Sequence, residues 1–185
     1  MALPDSPRRL TYDDYLLFPE DGQRHEVLDG EHYVTPSPFI RHQDISSNLH
    51  SVLGPFVREN GLGRIYAAPT DVVLSPHDVA VPDLLFISNE RLRILTDRNV
   101  QGAPDLVIEI ISPSTRRRDE GIKLERYDRL GVTEYWMFYP DRKTTKVYRR
   151  DGNRLRLVAE LTVEDILTTP LLPGLEIRLA KIFES

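Results

Sequence analysis

The stretch GAPDLVIEIISPS, from Gly102 to Ser114, places one acidic residue, Glu109, inside a run of apolar residues. Gly and Pro bound the run on one side and Ser and Pro on the other, a pattern typical of a central strand that is covered on both faces. An ionised carboxylate persists in such a strand only if it is paired, coordinates a metal, or has its pKa raised until it is neutral. Glu109 is therefore the first candidate for a functional residue.

The composition indicates an ordinary soluble globular protein of 185 residues with a net charge of -5. We expect one domain over 1–185, with an N-terminal helix and hairpin in 1–38, the main core in 39–150 and closing strands in 151–185. The chain has no cysteine, which excludes disulfides and Cys-ligated metals. No apolar run approaches the ~18 residues that span a bilayer, and no secretory leader is visible, so we expect a cytoplasmic protein without membrane contact.

The order of elements indicates an α/β (α+β) fold, a mixed β-sheet flanked by helices. Asp29-Gly30 predicts a hairpin turn, and Thr11 with Asp14 predicts a capped helix before it. Apolar residues at three- and four-residue steps predict a helix from Ile40 to Asn60, kinked or split at Pro55. The remaining predicted elements are strands over Arg64–Leu74 and Val79–Ile87, a helix over 116–131, and a β-prone run over 134–139.

Glu109 would need a second acidic residue nearby to share a cation, and the candidates are Asp105 and Asp83. Asp105 and Glu109 lie on one strand but about 13 Å apart at ~3.3 Å per residue, which is too far for a common metal. Asp83 precedes the neighbouring predicted strand and would lie roughly 5 Å from Glu109 if the two strands pair. Carboxylate oxygens suit Mg²⁺ or Mn²⁺, which can polarise a phosphoryl oxygen and activate water. The substrate class that fits this chemistry is a phosphodiester.

Lys123 on the following helix is the candidate cation beside the nucleophile, and Tyr127 lies one turn further on the same face. Partial burial beside Ile122 and Leu124 predicts a lowered pKa for Lys123. The residues alone leave other interpretations open. Glu109 could equally belong to a buried ion pair with only a structural role. Lys123 could equally be a solvent-exposed helix residue.

The segments VPDLLFI, GAPDLVIEIISPST and GIKLERYDRLGVTEYWMF, with RHEVLDGEHYV, RHQDISSNL, APTDVVLS and PLLPGLEI, resemble the Uma-type family of restriction-endonuclease-like proteins. This resemblance covers nearly the whole chain and implies the fold of the PD-(D/E)xK nuclease superfamily. It implies that Asp83 and Glu109 are the two metal-binding acids. The superfamily's lysine is absent two residues after Glu109, where Ile111 stands, and the resemblance implies that Lys123 replaces it. It also adds Glu26, on the hairpin, as a further acid.

The resemblance implies a divalent-metal-dependent endonuclease that hydrolyses DNA, with Mg²⁺ or Mn²⁺ as cofactor. Candidate substrate-binding residues are His42 at the start of the long helix, Arg116 and Arg117 in the run Arg116-Arg117-Arg118 near a helix start, and Tyr127. The alternatives are a catalytically inactive nuclease-fold binding or accessory domain and a metal-dependent hydrolase of small phosphoesters. A homodimer through exposed aromatic and strand edges near Tyr135, Trp136 and Tyr148 is a further expectation.

Overall fold

The computed structural model describes residues 8–184 and shows a mixed α+β protein with mixed sheets flanked by helices. The helices are α1 (Tyr12–Tyr15), α2 (Ile40–Glu59), α3 (Arg116–Arg118), α4 (Leu124–Leu130) and α5 (Leu179–Ile182). The strands are β1 (Arg24–Leu28), β2 (Glu31–Thr35), β3 (Gly63–Ala67), β4 (Val72–Ser75), β5 (Asp78–Ala80), β6 (Leu84–Ser88), β7 (Val100–Gln101), β8 (Leu106–Ile110), β9 (Glu134–Tyr139), β10 (Thr144–Asp151), β11 (Arg154–Thr162), β12 (Ile166–Leu167) and β13 (Ile177–Arg178).

The strands form three sheets. A six-stranded sheet has the order β11-β10-β9-β8-β6-β3, and a five-stranded sheet has the order β2-β1-β5-β4-β7. Strands β12 and β13 pair separately. In the six-stranded sheet β8 runs parallel to β9 and antiparallel to β6. All five residues of β8 are buried, as the apolar run predicts.

The N-terminal elements form as their local sequence predicts. The Thr11 hydroxyl accepts from the Asp14 backbone N–H, and the Asp14 carboxylate accepts from the Thr11 N–H, which is a complete capping box. Asp29 and Gly30 both have positive φ, 54° and 80°, as a two-residue hairpin turn requires. Strand β1 also pairs with β5, so the hairpin is part of the five-stranded sheet and is attached to the rest of the fold.

Two predicted long strands are each divided between the two larger sheets. The prediction of one strand over Arg64–Leu74 is wrong, because β3 belongs to the six-stranded sheet and β4 to the five-stranded sheet. The same holds for Val79–Ile87, which contains most of β5 and most of β6. A proline, Pro69 or Pro82, lies at each break. Proline has no N–H to donate to a strand ladder, so each strand ends there and the chain enters the other sheet.

The helices also differ in detail from the prediction. Helix α2 is continuous through Pro55 and is not split there; it buries Ile45, Leu49 and further apolar residues against the six-stranded sheet. The predicted helix over 116–131 is interrupted by a π-helical turn, Asp119–Lys123, between α3 and α4. None of the helices within residues 8–184 is both long and apolar enough to cross a membrane.

The aromatic residues that were expected to support a homodimer are not exposed. Tyr135 and Trp136 are fully buried because β9 lies between β8 and β10 in the six-stranded sheet, and Tyr148 is partly buried. The edges of that sheet are β11 and β3.

Candidate active site

The register of β6 and β8 brings the two predicted metal-binding acids opposite each other. Leu84 pairs with Ile108, and Asp83 directly precedes the first while Glu109 directly follows the second. The strands therefore pair as the shared-ion hypothesis requires. Both carboxylates line one cavity of about 610 Å³, which we call the acid cavity. Asp105 lies elsewhere, where its carboxylate accepts from the backbone N–H of Ser88 at 2.8 Å.

Asp83 is held by three N–H donors. Arg24 Nη1 lies 2.7 Å from Oδ1, while His42 Nε2 at 3.1 Å and the backbone N–H of Ile110 at 2.7 Å donate to Oδ2. Burial alone would raise the pKa of Asp83, but the bond from His42, the Arg24 charge and the Ile110 N–H together lower it below its usual value. Asp83 is therefore ionised at neutral pH.

Glu109 has one occupied and one open oxygen. Its Oε1 accepts from Lys123 Nζ at 2.8 Å and from the Tyr127 hydroxyl at 3.1 Å. Within residues 8–184 no donor bonds to Oε2, although the side chain is only 3% exposed. Burial, with the nearby carboxylates of Asp83, Asp119 and Glu26, raises the pKa of Glu109 to about 8 against the opposing effect of Lys123.

Lys123 lies at the end of the π-helical turn, and its buried ammonium has three carboxylates near it. Its Nζ is 2.8 Å from Glu109 Oε1, 2.8 Å from Glu26 Oε1 and 3.6 Å from Asp119 Oδ1. Burial alone would lower the pKa of Lys123, but these three carboxylates raise it above its usual value. The expected lowering of this pKa is therefore wrong, because the sequence did not show how many acids would surround the ammonium.

Glu26 reaches the site from β1. Its Oε1 accepts from the backbone N–H of Val81 at 2.9 Å as well as from Lys123. Its Oε2 is buried with no hydrogen-bond partner among the described residues, and Arg118 Nη2 lies 3.6 Å away. These contacts hold the pKa of Glu26 below its usual value although burial opposes them.

Of the four predicted substrate-binding residues, one lines the acid cavity and three do not. His42 lines the acid cavity, whereas Arg116, Arg117 and Tyr127 do not. Arg116 packs over the ring of Tyr139, and Arg117 points to solvent. Tyr127 is fully buried and touches the site through its hydroxyl on Glu109. Tyr127 thus orients an acid and presents no surface to a substrate.

The structure adds two residues that the sequence analysis missed, Arg24 and Asp119, and of the run Arg116-Arg117-Arg118 only Arg118 joins them in lining the acid cavity. Both of the missed residues left a usable signal. Arg24 is two residues from Glu26 and so shares its strand face, and Asp119 is four residues before Lys123 and so shares its helix face. Nothing distinguished Arg118 from the two arginines before it.

The chain matches, over residues 12–180, a family model described as "Uma2: Putative restriction endonuclease". The protein belongs to this family. A crystal structure of a protein from Anabaena variabilis, described as a putative nuclease belonging to DUF820, superposes with a TM-score of 0.78 at 22% identity. The match covers 94% of this chain and 97% of that one, and at this identity it shows the fold alone. No curated protein matches the chain.

The donor set of this Uma2 site suits a hard divalent cation. Four buried carboxylates lie among three side chains of fixed positive charge: Glu26, Asp83, Glu109 and Asp119 among Arg24, Arg118 and Lys123. Carboxylate oxygens are the ligands that such a cation prefers.

The site can offer a metal ion two protein ligands, Asp83 and Glu109. Within residues 8–184 no three or more acidic or histidine side chains are grouped so that they would hold a metal. Mg²⁺ commonly takes one or two carboxylates and completes its shell with water and substrate phosphate, which Asp83 and Glu109 can provide for. Because N–H donors occupy both oxygens of Asp83, one of those donors would have to yield to the ion.

Proposed function

We propose that this protein is a divalent-metal-dependent nuclease that hydrolyses phosphodiester bonds in DNA, with Mg²⁺ or Mn²⁺ as its cofactor. The observation that carries the proposal is the contact between Lys123 Nζ and Glu109 Oε1 at 2.8 Å, opposite Asp83 and in the same cavity. It supports an aspartate, a glutamate and a lysine acting together although Ile111 occupies the usual lysine position.

Asp83 and Glu109 would hold the ion in this proposal. A bound divalent ion polarises a phosphoryl oxygen and lowers the pKa of water beside it. Because the pKa of Lys123 is raised, its ammonium keeps its protons at neutral pH and is not a base. It provides a fixed positive charge beside Glu109 that would stabilise negative charge developing on the phosphate. Arg24 and His42 fix the orientation of Asp83.

Cleavage of DNA by matched variants tests the assignment. Wild-type protein should cleave plasmid and oligonucleotide DNA in Mg²⁺ or Mn²⁺, whereas Asp83→Ala and Glu109→Ala should not. Glu160→Ala removes an exposed carboxylate on β11 and should cleave as wild type does. If Asp83→Ala and Glu109→Ala cleave as fast as wild type, the assigned site is wrong. Nucleotide and RNA substrates in the same assay distinguish a hydrolase of other phosphoesters.

A second candidate, a non-catalytic binding domain, is favoured by one observation, the coverage of both Asp83 oxygens by N–H donors. Calorimetric titration with Mn²⁺ separates the two. A nuclease should bind the ion and lose that binding in Glu109→Gln, whereas a binding domain with a closed site should take up none.

A further inference from the structure

A second cavity of about 560 Å³ adjoins the acid cavity, and we call it the aromatic cavity. The two cavities share Arg24, His42, Asp83 and residues 35–38 in their walls. They are therefore two parts of one groove that passes over Asp83, one of the two proposed metal ligands.

The aromatic cavity has a lining suited to a flat, polar-edged group. Tyr15 and Phe18 line it, with ring centroids 5.7 Å apart. The Tyr15 hydroxyl donates to Asp71 at 2.7 Å, and the Phe18 ring packs 4.1 Å from the ring of His32, so both rings are held in place. Gln43 adds an amide that can both donate and accept. Ring faces together with an amide are what an unstacked nucleobase can contact.

An exposed apolar side chain lines each of the two cavities. Leu16, 57% exposed, lines the aromatic cavity, and Phe39, 76% exposed, lines the acid cavity. A base-paired duplex presents phosphates and groove edges, while its base faces are stacked inside. Apolar and aromatic walls suit a strand whose base faces are free.

We infer that the groove binds an unpaired DNA strand, with one phosphate in the acid cavity and neighbouring bases against the ring of Phe39 and against the rings of Tyr15 and Phe18. This inference rests on the proposed function and specifies its substrate. It assigns Phe39 and Leu16 as contacts that favour an unpaired strand over a duplex.

Fluorescence anisotropy of labelled DNA tests the inference in Ca²⁺, which keeps the strand from being cut during the measurement. The probes are a single-stranded oligonucleotide, the same strand in a matched duplex, and a duplex with a three-nucleotide bulge. We expect the single strand and the bulged duplex to bind at least tenfold more tightly than the matched duplex. Phe39→Ala should weaken single-strand binding about fivefold or more, as loss of an aromatic that stacks on a base does.

The chain offers a neighbouring control for each position. Ile40 is 81% exposed and Leu17 is 83% exposed, and neither lines the groove. Ile40→Ala and Leu17→Ala should bind the single strand as wild type does, while Leu16→Ala should weaken it two- to threefold. All four side chains are exposed, so the variants should fold. Equal or tighter binding of the matched duplex overturns the inference, and so does an equal loss in Phe39→Ala and Ile40→Ala.

Hydrolysis of bis-p-nitrophenyl phosphate separates the inference from the proposed function, because this small diester does not need the groove. If it is hydrolysed in Mn²⁺ but the duplex binds as well as the single strand, the groove assignment fails and the proposed function stands. If neither it nor any DNA is cleaved, the proposed function fails, and the anisotropy measurement still decides whether the groove prefers an unpaired strand.

Discussion

Replacing Lys123 and Glu109 singly and together measures how strongly the two side chains depend on each other. Lys123→Met removes the ammonium that lies 2.8 Å from both Glu109 and Glu26 and leaves these buried carboxylates without their shared cation. Removing one partner of a buried ion pair typically costs about 3–5 kcal/mol of stability. This is a large part of the ~5–15 kcal/mol by which a domain is stable, so the variant should fold but be marginal.

Glu109→Gln should cost less, about 1–2 kcal/mol, because Lys123 keeps its contact with Glu26 and the amide oxygen can still accept a hydrogen bond. The double variant removes both partners of the contact together. Its loss should therefore be smaller than the two single losses combined, by about 2 kcal/mol. DNA cleavage should be absent in all three variants, so the coupling should appear in the stability measurements and not in activity.

Urea unfolding at pH 7.5 provides the measurement, with tryptophan fluorescence as the signal. The chain has one tryptophan, Trp136, which is fully buried on β9 and donates its indole N–H to Glu134 at 2.9 Å. Lys181→Met, at an exposed position of α5, is the control and should unfold as wild type does. Strictly additive losses would refute the reasoning, and so would a Lys123→Met protein as stable as wild type.

Three further predictions address the metal, the lysine and a separate ion pair. Chelation with EDTA should abolish plasmid cleavage, and excess Mg²⁺ or Mn²⁺ should restore it, as gel electrophoresis would show. Asp119→Asn should reduce the cleavage rate about tenfold with little change in the unfolding midpoint, because Asp119 orients Lys123 from 3.6 Å. Asp78→Asn should cost about 3 kcal/mol in urea unfolding at pH 7, because Asp78 accepts two bonds of 2.8 Å from buried Arg126. These contacts hold the pKa of Asp78 below its usual value although burial opposes them. The ionised carboxylate therefore stabilises the fold above about pH 4, and this stabilisation is lost as the pH falls further. Wild type and Asp78→Asn should then converge in their free energy of unfolding.

The sequence predicted the elements whose signals are local. The Thr11 capping box, the Asp29-Gly30 turn and the buried strand around Glu109 each depend on residues within a few positions. The division of the chain between two sheets at Pro69 and Pro82 was not predictable in the same way. A strand pattern shows that a segment pairs, whereas its partner depends on the rest of the fold.

The candidate site was predictable as far as it follows from pairing two strands. Placing Asp83 opposite Glu109 needed only the assumption that β6 and β8 are neighbours, which the structure satisfies. The surroundings of Lys123 were not predictable, because its three carboxylates come from β1, β8 and the π-helical turn. Burial lowers the pKa of Lys123 and nearby carboxylates raise it. The direction of the net shift therefore depends on how many carboxylates surround the ammonium, which the sequence does not show.

The position of Ile111 explains why the cation beside Glu109 comes from a helix. Ile111 is buried in an apolar cluster with Val107 and Tyr127, and its side chain does not line the acid cavity. A lysine there would bury its charge among apolar groups at high cost. Lys123 instead enters among carboxylates, and the π-helical turn before it buries both Asp119 and Lys123 at the site. Such wide turns recur at functional sites, where they re-aim side chains that a regular helix would direct elsewhere. The interruption of the helix and the position of Lys123 are therefore parts of one arrangement, in which the turn brings the ammonium to Glu109.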